Sequence, residues 1–350
     1  MMSLVIGLGV LLVVVILIMI FRIGTLVSVM KDPEKPGGTS NQINAFLMLV
    51  FMVVSLGGFF WYSYTHFDSY IIPVASEHGL ITDHLFWITM AICVGAFSVI
   101  FIAMFWFTFK YQYKEGRKAS FLVDNHILEL VWTGIPAVVM ALLIFKGLET
   151  WNAITDPPSK EAEVIELVGQ QFAWTARYPG KDKELGKFDF RLIDAINEFG
   201  LNLAEDPNTF DDFKSLQLHL PKGKEVLLKI RAKDVLHSVY LPHFRVKMDA
   251  VPGMSTHFKF IPTKSTADMR LETHNPEFNY ELACAEICGK GHFSMRLIVI
   301  VDEPADYEKW KSEQEAWLKQ NPDYMKFVPE KYREMANIKS GISPGGVAVN

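Results

Sequence analysis

Four stretches within the first 150 residues carry almost no charge, and they constrain the chain more than any other feature. A helix needs about 20 apolar residues to cross the hydrocarbon core of a bilayer. Residues 1–21 hold no charged side chain. A second stretch lies between Lys35 and Asp68 and is most apolar over 45–62. A third runs over 84–109, and a fourth over 130–145, bounded by Glu129 and Lys146. Those two flanking charges can snorkel, so a span of about 125–150 is expected, with Pro136 tolerable inside it. No Lys or Arg precedes the first run, and Arg22 rather than a small-residue cleavage site follows Phe21. The first segment therefore reads as a retained membrane helix, not a signal peptide.

Charge divides the chain unevenly. Residues 1–150 hold 8 of the 34 Lys and Arg and 9 of the 39 Asp and Glu; the other 200 residues hold 26 and 30. The shift near 149–156 marks where the chain leaves one solvent for another. Hydrophobic residues make up 50 % and charged residues 21 %, which excludes intrinsic disorder. A net charge of −5 offers no basic face for nucleic acid. Three cysteines are too few for a disulfide scaffold.

Loop charges set an orientation. Lys110, Lys114, Arg117 and Lys118 outweigh Glu115 and Asp124 between the third and fourth segments, so that loop is expected in the cytoplasm. Arg22, Lys31 and Lys35 put the first loop there too. The loop with Asp68, Glu77 and Asp83 has no Lys or Arg, as an outside loop should. The large C-terminal module is then outside the cytoplasm.

From about residue 162 the pattern changes to short β-type runs: 164–168, 172–177, 216–220, 225–230, 235–241, 256–260, 268–272, 280–283 and 295–301. Turn residues such as Pro221, Gly223, Pro252, Gly253 and Pro262 punctuate them. Short strands at this spacing predict a sandwich or Greek-key barrel. Residues 181–214 break the rhythm and read as a surface insertion. After Val301 the chain turns polar, with one amphipathic helix expected over 307–319 and coil at the end. No internal repeat is evident.

The chemistry concentrates in Cys284-Ala-Glu-Ile-Cys288-Gly-Lys-Gly-His292-Phe-Ser-Met295. Taken singly, the cysteines and Met295 read as core filler and His292 as an ordinary histidine. Together, thiolates and a thioether are soft ligands that favour copper, and imidazole suits copper or zinc. Structural zinc sites use paired short Cys spacings and no Met, and the second pair is absent. A Cys284–Cys288 disulfide is a third reading, permitted outside the cytoplasm. A mononuclear blue-copper site wants one Cys fewer. Two thiolates bridging two coppers account for the surplus, and each copper then needs one imidazole. The second is a choice among His219, His237, His243, His257 and His274, which chemistry alone can only rank.

At this point the chain resembles a family. The apolar hairpin, Asp234-Val-Leu-His237-Ser, Lys247-Met-Asp-Ala-Val-Pro-Gly253 and the Cys284-to-Met295 string together resemble subunit II of cytochrome c oxidase, over roughly residues 84–301. The resemblance implies membrane helices, four in this chain, followed by an all-β cupredoxin-like Greek-key barrel. It divides the chain into two extra helices at 1–62, a transmembrane hairpin at 63–150, the barrel at 151–305 and a polar tail at 306–350. It implies a dinuclear mixed-valence copper centre, CuA, with Cys284 and Cys288 bridging and His237 and His292 terminal. Met295 and the Glu286 carbonyl would be weak ligands. The Glu286 side chain would help hold a magnesium ion at the interface with subunit I; Asp249 lies near that interface and receives no role. Electrons would come from a cytochrome c, or a cytochrome c domain of a neighbouring complex, and pass to haem in subunit I. Oxygen reduction and proton translocation would occur there, with subunit III also in the complex, so this chain alone should have no oxidase activity.

Two further positions match. Glu129 in Asn125-His-Ile-Leu-Glu129 would mark a proton-path entrance; its plainer reading is a snorkelling helix-end carboxylate. Gly169-Gln-Gln-Phe172-Ala-Trp174 departs from the family's Gln-Trp-aromatic-Trp, so the electron entry falls to Phe172 or Trp174, or both are core aromatics. No Cys-x-x-Cys-His occurs, so no c-type haem is fused to the chain. Cys93 reads as packing. Quinol-oxidase relatives lack the copper ligands that are present here. A copper-delivery protein would favour exposed, flexible ligands, and a zinc module would not use Met295. The extra helices suit a bacterial inner membrane, with the barrel in the periplasm.

Overall fold

The computed structural model describes residues 2–31, 38–114, 116–121 and 123–342. Lys35 and Glu115, two of the loop charges used for orientation, lie outside these, as does the tail beyond Ile342. Four long helices come first: α1 (Met2–Lys31), α2 (Gly38–Thr65), α3 (Glu77–Lys110) and α4 (His126–Thr155). Each contains a window fit to cross a bilayer, Gly7–Val27, Asn41–Thr65, Glu77–Lys110 and His126–Thr155, with mean hydropathies of 3.0, 2.2, 2.5 and 2.2. Almost no residue of these windows is buried, so their apolar side chains need a non-aqueous surrounding, and the chain is a membrane protein. The side chain of Asn125 opens α4 by accepting from the Leu128 N–H (3.1 Å). Glu129 follows in the first turn, half exposed, 3.6 Å from His126 Nδ1, where the positive end of the helix dipole favours a carboxylate.

The described chain forms two compact units: residues up to 71 with 87–138, and residues 72–86 with those from 139 onward. In the first, Asn41 donates to the Tyr113 carbonyl (3.0 Å), and Phe51 meets Phe105 with ring centroids 5.6 Å apart.

The second unit contains ten strands: β1 (Glu163–Gln170), β2 (Ala173–Tyr178), β3 (Phe213–Ser215), β4 (Leu218–Pro221), β5 (Val226–Ala232), β6 (His237–Leu241), β7 (Val246–Ala250), β8 (Thr256–Phe260), β9 (Tyr280–Cys284) and β10 (Arg296–Asp302). They make two five-stranded sheets, ordered β3-β2-β1-β5-β8 and β4-β10-β9-β6-β7. The β1–β5 and β10–β4 pairs are parallel and the other pairs antiparallel. Alternate residues of each sheet, such as Ile165, Leu167, Leu228 and Ile230 from one and Val239, Leu241, Leu282 and Val299 from the other, form the main core. Ala75 and Ile154 also enter it. Segment 72–86 is tied down by Ser76 donating to the Phe244 carbonyl (2.7 Å) and by a two-point ion pair of Arg245 with Asp83 (2.7 and 2.8 Å).

Several expectations are corrected. The run at 216–220 starts as a strand only at Leu218, in β4, and β3 (Phe213–Ser215) precedes it as an additional strand, the two separated by a turn in which Ser215 Oγ accepts from the Gln217 N–H. Strand β7 is additional. Residues 268–272 are not a strand but belong to a helix, α5 (Thr266–Glu272), because Ser265 and Asp268 form a reciprocal capping box. The helix expected over 307–319 is split into α6 (Pro304–Ser312) and α7 (Trp317–Gln320). The break lets the Trp317 N–H donate to the Asp212 carbonyl (2.7 Å) and buries its indole.

The stretch 181–214, expected as a surface insertion, and the polar tail share a core of their own. Phe199, Leu201, Leu203 and Phe210 from the first pack with Trp317, Leu318, Val328 and Ala336 from the second, the last on α8 (Arg333–Ser340), in a second core. Beneath them, Glu166 pairs with Arg177 (2.6 Å) and Arg231 (2.7 Å), and Arg177 with Asp212 (3.0 Å), all buried. Arg231 lies 3.5 Å from the ring centre of Phe188.

Trp317→Ala is expected to lower stability by about 3–5 kcal/mol. Phe190→Ala, at an exposed position of the same region, is expected to change it by less than about 0.5 kcal/mol. Denaturant titration checks the contrast, and equal shifts would contradict a second core.

Candidate metal centre

Strand pairing assembles the site. β6 begins at His237 and runs antiparallel to β9, which ends at Cys284, with Val239 opposite Cys284. The Ala285 N–H donates to the Ser238 carbonyl (3.0 Å), so the chain leaves β9 beside the start of β6. The loop returns into β10 after a short turn over His292–Ser294, and the Cys284 N–H donates to the Met295 carbonyl (3.0 Å). Gly289 takes φ of +130°, a conformation that L side chains rarely adopt. The Gln171 side chain reaches across and donates to the Cys288 carbonyl (2.6 Å).

This folding gathers five side chains. Cys284 Sγ lies 3.9 Å from His237 Nδ1 and 3.9 Å from Cys288 Sγ. Cys288 Sγ lies 3.8 Å from His292 Nδ1 and 3.8 Å from Met295 Sδ. The Glu286 carbonyl is 3.3 Å from Cys284 Sγ, while its side chain is exposed. His237, both cysteines and Met295 are buried and His292 is half-buried. His237, Cys284 and Cys288 can bring one donor atom each within 4.8 Å of one another. Both cysteines are free thiols, so the disulfide reading is not the one adopted. Burial, with the neighbouring Cys284, pushes the Cys288 thiol up to about 11. Two crowded thiols in an apolar wall give up protons readily only to a compensating cation. A buried thioether against the thiols, with both Nδ1 atoms turned to sulfur, suits a soft metal and not structural zinc.

The other four histidines stand elsewhere. His219 stacks on Trp310 at 3.9 Å, and its Nδ1 pairs with Asp302 at 2.7 Å. His243 packs against Phe278 and Tyr280, and burial, helped by Arg245, lowers its basicity. His257 Nε2 contacts the Thr155 carbonyl (3.0 Å), and His274 is exposed.

The two aromatic positions separate cleanly. Trp174 is 2 % exposed, its ring edge-on to His237 at 5.8 Å, so it walls the pocket from inside. Gly169 permits this, since a Cβ there would sit 2.8 Å from the indole and 3.1 Å from His237 Cδ2. Phe172, between β1 and β2, is 37 % exposed and packs against the Cys284–Met295 loop, where a Cβ at Gly291 would come within 2.5 Å of its Cγ.

Sequence reasoning missed two residues. Asp234 Oδ1 is 2.8 Å from His237 Nε2, and Asp234 Oδ2 accepts from the Gln171 N–H (2.7 Å). Burial works against the Asp234 charge, but these contacts and the Val235 N–H hold its carboxyl below the usual range. The signal for Asp234 was its place three residues before His237. Gln171, 117 residues from Cys288, offered none.

Comparison with known proteins bears on most of the chain. Residues 163–302 match the family model for the periplasmic domain of cytochrome c oxidase subunit II, and residues 60–150 match the model for its transmembrane domain. An alternative cytochrome c oxidase subunit 2 from Bradyrhizobium diazoefficiens is 34 % identical over 275 residues, covering 77 % of this chain and 92 % of the relative. A cytochrome c oxidase subunit 2 from Thermostichus vulcanus is 28 % identical over 284 residues, covering 73 % and 81 %. Among solved structures, the periplasmic domain of subunit II of cytochrome oxidase from Bradyrhizobium japonicum is 25 % identical, covers 45 % of this chain and 94 % of its own, and has a TM-score of 0.30. With both family models matched and the Bradyrhizobium diazoefficiens relative covered almost end to end, the chain belongs to the cytochrome c oxidase subunit II family.

Proposed function

We propose that the barrel holds a dinuclear CuA centre that receives single electrons from a cytochrome c and passes them to haem in oxidase subunit I. Cys284 and Cys288 would bridge the two coppers, His237 and His292 would each bind one, and Met295 and the Glu286 carbonyl would be weak ligands. The observation that carries this reading is the convergence of those donors in one pocket at 3.3–3.9 Å from the two sulfurs. When bound, the copper pair supplies one-electron redox chemistry with the charge shared over two metals.

The residues of the chain supply the rest. Paired strands hold the donors in place before any metal arrives, which keeps reorganisation on electron transfer small. Burial of four of the five side chains excludes water. Phe172 is the outer residue over the loop and the better entry candidate, with Trp174 behind it against His237. The exposed Glu286 carboxylate is available to a magnesium ion at a subunit I interface. Glu129, in the first turn of α4, is proposed as a proton-path entrance. Oxygen reduction and proton translocation would take place in subunit I, with subunit III as a further partner. The membrane would be a bacterial inner membrane, with the barrel in the periplasm.

Cys288→Ser is expected to remove both coppers as counted by metal analysis, because one bridge cannot hold the pair; two coppers retained would overturn the assignment. His219, His243, His257 and His274 should each tolerate Asn without loss of copper, and loss at any of them would redraw the ligand set. Phe172→Ala should slow reduction by cytochrome c in stopped-flow more than Trp174→Phe does, both variants keeping full copper. The opposite order would move the entry point to Trp174.

A further inference from the structure

His237 and His292 are not equivalent. Both turn Nδ1 toward sulfur, at 3.9 and 3.8 Å. Only His237 has a carboxylate on its other nitrogen: among the described residues, no acidic side chain meets the His292 ring. Asp234 Oδ1 lies 2.8 Å from His237 Nε2. An ionised carboxylate can only accept, so the proton of a neutral His237 sits on Nε2 and the Nδ1 lone pair is left facing Cys284.

Asp234 is itself held. Its Oδ2 accepts from the Gln171 N–H at 2.7 Å, and its Oδ1 accepts from the Val235 N–H at 2.7 Å. Gln171 also donates its side-chain Nε2 to the Cys288 carbonyl at 2.6 Å. One residue, next to Phe172, thus joins the carboxylate behind His237 to the loop carrying the second thiol. The His237 ring has no freedom to adopt another pose: it is fully buried, with Trp174 edge-on and Gly169 beneath.

We propose that Asp234 is a positioning residue for His237, fixing the ring with Nδ1 toward the thiols and keeping a negative charge behind it. A carboxylate on the outer N–H makes an imidazole a stronger donor. A stronger donor stabilises the oxidised, more positive state of a bound metal pair, so Asp234 lowers its reduction potential. The effect on the pair would enter through His237 alone, because among the described residues no acidic side chain meets the His292 ring. This rests on the copper reading above. The plainer role for Asp234, capping the turn before β6, would affect folding and leave the potential alone.

The test uses the full chain in detergent, loaded with copper, with the potential measured by redox titration. Asp234→Asn keeps an oxygen for the Nε2–H and removes the charge. It should shift the redox equilibrium about tenfold toward the reduced form, about 59 mV for one electron, with copper per chain unchanged. An unchanged potential at full copper loading overturns the role of Asp234. A chain that takes up no copper pair, in either form, overturns the copper reading and the effect on potential together. Selective nitrogen-15 labelling of the histidines in the unaltered, copper-free chain decides the ring separately. A proton on Nε2 of His237 is expected, and a proton on Nδ1 overturns the positioning.

Discussion

The antiparallel pairing of β6 with β9 is the interaction on which the rest of the site depends. It sets Val239 against Cys284 and so delivers His237 to the Cys284 thiol, 47 residues further along the chain. β9 then pairs with β10, Ala283 against Arg296, which closes the Cys284–Met295 loop into a short return. Between the two pairings the loop has little choice of path. Its backbone is pinned at Ala285 and Met295 by strand neighbours and at Cys288 by Gln171. A pocket built this way is shaped before anything fills it, and its side chains come from the most constrained part of the barrel.

The outer face of the first sheet poses a different problem. Glu166, Arg177 and Arg231 project from adjacent strands into a buried layer, where taking charges out of water costs several kcal/mol per ion. The arrangement answers this with one carboxylate shared by two guanidiniums, and Asp212, supplied from outside the sheet, meets Arg177 although burial pushes its own carboxyl up to about 8. Burial opposes the charge on Glu166, and the two arginines hold its carboxyl below the usual range. The segment that brings Asp212, and the helices that cover it, are the parts that composition alone marks as polar and peripheral. Their apolar residues are few and widely spaced, yet they meet in one cluster. The same sheet carries Trp174 and Gly169 against His237 on its other face, so a firm outer layer supports the pocket wall.

What was legible in the sequence follows from how local each signal is. Absence of charge over 20 or so residues is a local property, and the four membrane-length helices were read from it. The Cys284-to-Met295 string is local too, and it pointed to a soft metal before any fold was known. The choice of His237 among five histidines was not local; it rests on strand pairing, and the family resemblance supplied it. Helix α5 was misread because its Asp268–Glu272 run looks strand-like, while the deciding signal, the Ser265–Asp268 capping box, lay just upstream. The break between α6 and α7 depends on where Trp317 is buried, which periodicity cannot show. Gln171 and Asp234 became visible only when three distant segments met.

Under the proposed function, this pocket binds a copper pair that shares its charge. The most direct measurement is EPR of the copper-loaded chain in its oxidised form. One unpaired electron per two coppers is expected, with hyperfine structure spread equally over both nuclei. A spectrum localised on a single copper nucleus, or a chain that takes up zinc in preference, would contradict it.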